Sequence, residues 1–267
     1  MSSVPLHLVP DQVKEYHERG FLVVRELLQP VEVQLLIDTF MNMHAAGQIP
    51  GGGEPDEHVS DIFFERYPRM VHPHRVSGTA LQYLLDPRIA TCLTDLLGEE
   101  PLAAQSMFYF KQPGARGHAL HQDNFFVQVE PGTCIAAWIA LDVVDRENGG
   151  LEMVPGSHAM NIFCPETDAD QKVSSTREVV PIPPGLKAEG VDMMRGDVVF
   201  FNGTIIHGSP ENRTPDRFRR SFVGHYIGRS AKRVSLFYHP VLNMAGVPVA
   251  IEKNLSGGPC GTEGANH

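Results

Sequence analysis

Cysteine is scarce in this 267-residue chain, and the four present, Cys92, Cys134, Cys164 and Cys260, stand far apart. No C-x-x-C pair occurs, which argues against a thiolate zinc site and makes a reduced compartment the simpler reading. Positive charge is also short. Lys plus Arg number 22 against 32 Asp plus Glu, a formal net charge of −10. That balance argues against nucleic acid or an anionic membrane as the main partner. No apolar run approaches the roughly 20 residues that a membrane span needs. The opening "MSSVPLHLVPDQVKEYHERG" has no basic segment followed by an apolar run, so no signal peptide is expected and a cytoplasmic location is the default. There is no internal repeat. What remains, 42% hydrophobic and 20% charged, is ordinary soluble globular composition.

The first hundred residues read as helical with one strand. "DQVKEYHERG" is a short helix that Asp11 can cap and Gly20 can close, and "FLVVREL" follows as a strand. Pro30 opens a second helix through "VEVQLLIDTFMNMHAAG", where apolar residues recur at three and four. "GGGEPDEH" is a loop by composition, and "DPRIATCLTDLLG" is a third helix closed by Gly98. From about residue 101 the texture changes to short β-type runs, among them "AAQSMFYFKQ", "DNFFVQVE", "CIAAWIALDVV", "DVVFFNGTIIH" and "RRSFVGHYIG". Seven or eight such strands predict an antiparallel sandwich or small barrel. The polar, Pro-rich stretch 161–190 is long for a connection and reads as a lid or a plain excursion, and the tail 251–267 as flexible.

The chemistry starts at "GHALHQDNFFVQ". His121 and Asp123 stand two apart, so in a strand they share a face while Gln122 points away. One further histidine would complete the 2-His-1-carboxylate set that holds non-haem Fe(II) and leaves adjacent positions open. H-x-D alone arises by chance about once in a chain of this composition, so its company decides. "MRGDVVFFNGTIIHGSPEN" brings His207 at the end of a strand, although His225 and His239 also lie in β-type runs. "RRSFVGHY" then puts Arg219 and Ser221 on one face, with Phe222 on the other. An arginine fork in an apolar strand without an acidic neighbour calls for an anion from elsewhere, and a dicarboxylate could bridge the metal and this fork. Arg217 is a rival for that role; Arg220 faces away.

These stretches, with "AAWIALDVVDRENGGLEMVPGSH" and the opening "YHERGFLVVRELL", resemble the phytanoyl-CoA dioxygenase-like family of Fe(II)/2-oxoglutarate oxygenases over roughly residues 10–240. The resemblance implies one domain across 1–250, with a helical part over about 10–100 and a jelly-roll (double-stranded β-helix, cupin-like) over about 101–240, mainly β with flanking helices. It implies His121, Asp123 and His207 as iron ligands and Arg219 with Ser221 as the clamp on the far carboxylate of 2-oxoglutarate. Met107 and Trp138 would line the cosubstrate pocket, and Gln122 would contribute mainly through its backbone. In "ENGGLEMVPGSH", Gly149-Gly150 are expected at positive φ, in a structural rather than catalytic turn.

The activity so implied is hydroxylation of an unactivated C–H in a small metabolite, using O₂ and releasing succinate and CO₂. Asp123 argues against the halogenating relatives, which carry a small residue at that position. Phe125, Phe126 and Ile205 would keep the pocket dry. Asn124, Gln128 and "HPHRV", with His72, His74 and Arg75, are the candidates to face substrate, although "HPHRV" reads equally as a solvated loop. Two other readings stand beside this one: a cupin-like metal enzyme that does not use 2-oxoglutarate, and a β-sandwich binding protein stabilised by metal. Only the 2-oxoglutarate reading needs Arg219.

Overall fold

The computed structural model describes residues 7–51, 66–167 and 178–255. Most of the "GGGEPDEH" loop, the middle of 161–190 and most of the 251–267 tail lie outside the described residues. Helix α1 (Pro10–Arg19) is preceded by Val9 rather than capped by Asp11. Pro10 supplies the preset φ of the first turn, and the Gln12 side chain accepts from the Val9 N–H at 3.0 Å. Gly20, at φ 86°, closes it. Helix α2 (Pro30–Ala45) starts in the same way, with Glu32 accepting from the Gln29 N–H at 2.7 Å. Helix α3 (Gly78–Leu84), which the sequence reading did not anticipate, is capped by Ser77, and α4 (Pro87–Leu97) by Asp86.

Among the described residues sixteen strands carry the rest. In order they are β1 (Phe21–Val24), β2 (Met70–Val71), β3 (Pro101–Tyr109), β4 (His118–His121), β5 (Cys134–Ala140), β6 (Glu152–Met153), β7 (Glu166–Thr167) and β8 (Glu178–Val179). There follow β9 (Glu189–Gly190), β10 (Val198–Asn202), β11 (His207–Ser209), β12 (Ser221–Gly228), β13 (Arg233–Ser235), β14 (Val241–Asn243), β15 (Pro248–Val249) and β16 (Glu252–Asn254). The larger sheet runs β1-β10-β5-β12-β3-β14-β15, with β2 also paired to β3; the smaller runs β4-β11-β6-β9. This is the jelly-roll with flanking helices that the resemblance implied.

Period-two alternation divides the large sheet into two faces. Leu22, Ile135, Ala137, Ile139, Val198, Phe200 and Phe222 join Leu36, Phe40, Leu84 and Leu93 of the helices in one core. Phe21, Ala136, Trp138, Val199, Phe201, Met107 and Val223 point the other way, where they meet Met153 of the small sheet. Both faces are covered, so the strands read as nearly continuous apolar runs.

Two expectations fail. Residues 123–127 form a one-turn helix, α5 (Asp123–Val127), and not a strand. The Asn124 N–H donates to the Gly203 carbonyl at 2.7 Å and its Oδ1 accepts from the Val129 N–H, which turns the chain while Phe125 and Val127 stay buried. Cys92 and Cys134 are buried outside any disulfide, but Cys164 is disulfide-bonded, against the reading of a reduced compartment. Spacing in sequence gives no view of which thiols a fold brings together. Among the described residues no helix is long and apolar enough to cross a membrane.

Candidate metal and cosubstrate site

His121 ends β4 and His207 begins the neighbouring β11, directly opposite in the antiparallel register. Their rings stand 4.2 Å apart. The switch from strand to α5 after Gln122 then swings Asp123 toward both. Asp123 Oδ1 lies 3.5 Å from His121 Nε2 and 3.7 Å from His207 Nε2. One donor atom from each of the three residues falls within 4.8 Å of the others. Cis ligands roughly 2.1 Å from a common cation stand about 3 Å apart, so a small contraction would seat an ion.

The chain also fixes which nitrogens face inward. His121 Nδ1 pairs with the Ala119 carbonyl at 2.8 Å and His207 Nδ1 with the Ile205 carbonyl at 3.1 Å. A proton held there on each ring leaves both Nε2 lone pairs for a metal. His225 Nε2 bonds Asp123 Oδ2 at 3.2 Å, leaving Oδ1 toward the other two histidines. Burial, the largest influence on His207, together with the facing His121, pulls its pKa down to about 4, which keeps the imidazole neutral at pH 7. Burial pushes the Asp123 carboxyl up, but His207, His225 and His121 outweigh it and hold the carboxyl well below its usual range. Two tautomer-fixed imidazoles and an ionised carboxylate are the donor set that Fe(II) takes, with further positions open. The residues fit the metal.

Arg219 lies two residues before the start of β12 and shares the inner face with Ser221, as the alternation predicted. It is 4% exposed, yet no carboxylate of the described residues lies within ion-pair distance. Its Nε donates to the Gly149 carbonyl at 3.0 Å, one terminal nitrogen lies 3.3 Å from Ser221 Oγ, and its guanidinium stands 5.4 Å from the Trp138 ring centre. Burial lowers its pKa to about 10. The rival Arg217 is spent on Asp145 and Glu147, and Arg220 on Asp142. Gly149 accounts for part of this geometry. It sits at φ 78°, and an added Cβ would meet Lys111 Cε at 2.6 Å and the Pro210 carbonyl at 2.7 Å. Gly150, unlike the expectation, has no positive φ; it is a close-approach position, with the Asp145 carbonyl 2.7 Å from a Cβ.

Met107 and Trp138 pair with Val223 from opposite sides, so the three form one row across the inner face. Sequence reading missed Lys111 and Ser209 here, and saw His225 only as a strand histidine beside His207. Half-buried Lys111 donates to Ser209 Oγ at 2.8 Å and to the Pro210 carbonyl, and burial together with the Arg219 charge depresses its pKa strongly. Residues 107, 109 and 111 share one parity, as do 221, 223 and 225, and that was the available signal.

Other expectations are redirected. The Gln122 side chain, 1% exposed, donates to the Thr204 carbonyl at 2.6 Å and accepts from the Phe163 N–H at 2.8 Å. It ties the start of 161–190 to the site's back. Asn124 is consumed by the α5 turn, and Gln128, at φ 54°, ends it. "HPHRV" is no solvated loop: His72 and His74 are each 7% exposed. His74 bonds Ser106 Oγ at 2.6 Å, and Arg75 donates to the His239 carbonyl. Phe126 lies 6.4 Å from the His121 ring, and Ile205 belongs to the inner core with Phe201, whose ring is 4.6 Å from His207.

A jelly-roll whose facing sheets bring together His-Asp-His and an uncompensated buried arginine defines a 2-oxoglutarate-dependent non-haem iron dioxygenase. Residues 16–221 match the phytanoyl-CoA dioxygenase (PhyH) family, and the chain belongs to it. It is similar to phytanoyl-CoA dioxygenase of Arabidopsis thaliana, 27% identical over 257 residues, covering 82% of this chain and 89% of the relative. It is also similar to ectoine dioxygenase of Bordetella bronchiseptica, 29% identical over 225 residues, covering 78% of this chain and 72% of the relative. The fold is shared with the epimerase SnoN, solved in complex with Fe3+, α-ketoglutarate and nogalamycin RO. The TM-score is 0.68 at 22% identity, with 83% of this chain and 84% of that one covered.

Proposed function

We propose that the protein hydroxylates an unactivated C–H of a small molecule, with His121, Asp123 and His207 holding Fe(II) and Arg219 with Ser221 holding the far carboxylate of 2-oxoglutarate. Bound Fe(II) and 2-oxoglutarate supply the activation of O₂, with succinate and CO₂ as co-products. The protein's own work is positional. His225 fixes the Asp123 carboxylate, the Ala119 and Ile205 carbonyls fix the two imidazoles, and the Gly149 carbonyl aims the Arg219 fork. Trp138, Met107, Phe201 and Ile205 exclude water from the space between.

The observation that carries this reading is the pairing of a convergent metal set with a buried cation that has no counter-ion among the described residues. The test is anaerobic visible absorption of metal-free protein titrated with Fe(II) and then 2-oxoglutarate. A weak charge-transfer band requiring both is the expected result, with Arg219→Ala shifting its appearance to far higher 2-oxoglutarate. An Fe(II)-loaded protein that gives no band, or an Arg219→Ala protein titrating like wild type, would contradict it.

A further inference from the structure

Beyond the triad, the inner face holds a second half-buried cation that the proposed mechanism leaves without a role. β2 pairs with the outer edge of β3, Met70 opposite Phe108 and Val71 opposite Met107. Continuing that register sets Arg69 beside Tyr109, on the edge of β3 away from β12 and Arg219. Arg69 is half-buried, and no carboxylate of the described residues pairs with it. Its charge acts on the Tyr109 and Tyr238 hydroxyls and on His118, and the two tyrosines also sense Asp123. Tyr109 stands opposite Ser221 in the ladder, so the seat adjoins the proposed cosubstrate clamp.

An independent feature marks the same wall. His72, directly after β2, sits at φ 53° and ψ 39°, which an L side chain rarely adopts. It is 7% exposed, and among the described residues its ring nitrogens lack a well-formed hydrogen bond, the Phe237 backbone being the group that nears them. Its ring lies 4.9 Å from Phe237 and 6.5 Å from Tyr238. Backbone strain and unpaired buried polar atoms gather at ligand sites, where binding offsets them.

We infer that Arg69, with the hydroxyls of Tyr109 and Tyr238, seats a carboxylate of the substrate, whose apolar body lies against Val71 and Phe237. One cation with neutral hydroxyl donors matches a single negative charge better than a phosphate dianion. Val71 and Phe237 belong to the inner apolar cluster, so the remainder of such a substrate is aliphatic or aromatic. The inference rests on the function proposed above and names the substrate class for that site.

The test loads the protein with Ni(II) and saturating 2-oxoglutarate, then measures binding of hexanoate, hexanamide and hexylamine by thermal shift. Hexanoate is expected to bind at least about tenfold more tightly than the amide, and the amine not at all. Arg69→Met should abolish that preference and Arg69→Lys keep part of it. Both variants should titrate with 2-oxoglutarate at wild-type concentrations in the Fe(II) absorption assay, which also shows that they fold. Equal binding of hexanoate and hexanamide would overturn the inference. So would loss of 2-oxoglutarate affinity in Arg69→Met, which would give Arg69 to the cosubstrate instead. Absence of the Fe(II)/2-oxoglutarate band in wild type is a separate failure, of the underlying function.

Discussion

Two buried arginines on opposite faces of the large sheet have opposite surroundings. Arg88, 9% exposed at the start of α4, is closed on itself. It donates to both oxygens of Asp86, both of Glu32, and the Leu27 carbonyl. Its pKa is raised, by the bonds to Asp86 first and Glu32 second. Arg219, 4% exposed on the inner face, meets a carbonyl, a hydroxyl and the Trp138 ring and no carboxylate among the described residues, and burial pulls its pKa down. The first joins α4 to α2 and is complete without a ligand. The second is an unbalanced charge that the fold tolerates, and its balance has to come from outside. A buried charge with every donor used reads as architecture; a buried charge left open reads as a binding site.

The largest effect should come from the metal set. Asp123→Ala should lower Fe(II) affinity by more than about 100-fold, beyond what loss of an outer partner costs, as read by anaerobic titration. Next comes the arginine pair. Arg88→Met leaves two carboxylates unpaired and should cost about 3 kcal/mol in denaturant unfolding, without altering 2-oxoglutarate affinity. Arg219→Met should weaken 2-oxoglutarate roughly 100-fold, the loss of two charge-assisted bonds, while the metal-free protein stays at or above wild-type stability. His225→Ala, which frees Asp123 Oδ2, should lower metal affinity about 10- to 100-fold and leave unfolding nearly unchanged.

A smaller effect lies in pH. Hydrogen bonds from Arg88 are the main cause of the lowered Glu32 pKa. The folded pKa is below the unfolded one, so this contribution is fully present above the ordinary carboxylate range of about 4. It is lost as pH falls through the folded value. Wild-type stability measured downward from about pH 5 should therefore drop more steeply than that of Arg88→Met. Equal slopes would show that the Arg88 network adds nothing in solution.

The sequence carried much of this, unevenly. Alternation alone put Arg219 and Ser221 on one face and Phe222 on the other, and a strand-end histidine before glycine stands opposite His121. What it could not carry were features that depend on non-local pairing. The H-x-D pair was read as one strand, but Asp123 reaches the histidines because the chain leaves the strand at Gln122, held by the Gly203 carbonyl far along the sequence. β2 is two residues long, too short for any periodicity, so "RMV" was given no element and Arg69 went unnoticed. His225 was visible as a strand histidine, but nothing local told that its partner would be Asp123.

The measurement that bears most directly on the contrast of the two arginines is thermal unfolding of wild type, Arg88→Met and Arg219→Met. Each is melted metal-free and again with Ni(II) and saturating 2-oxoglutarate. Arg219→Met should melt at or above wild type when metal-free and lose the 2-oxoglutarate increment. Arg88→Met should melt lower in both states and keep the increment. An Arg219→Met protein that is destabilised like Arg88→Met and still stabilised by 2-oxoglutarate would show that Arg219 is architecture, and the proposed clamp would fall.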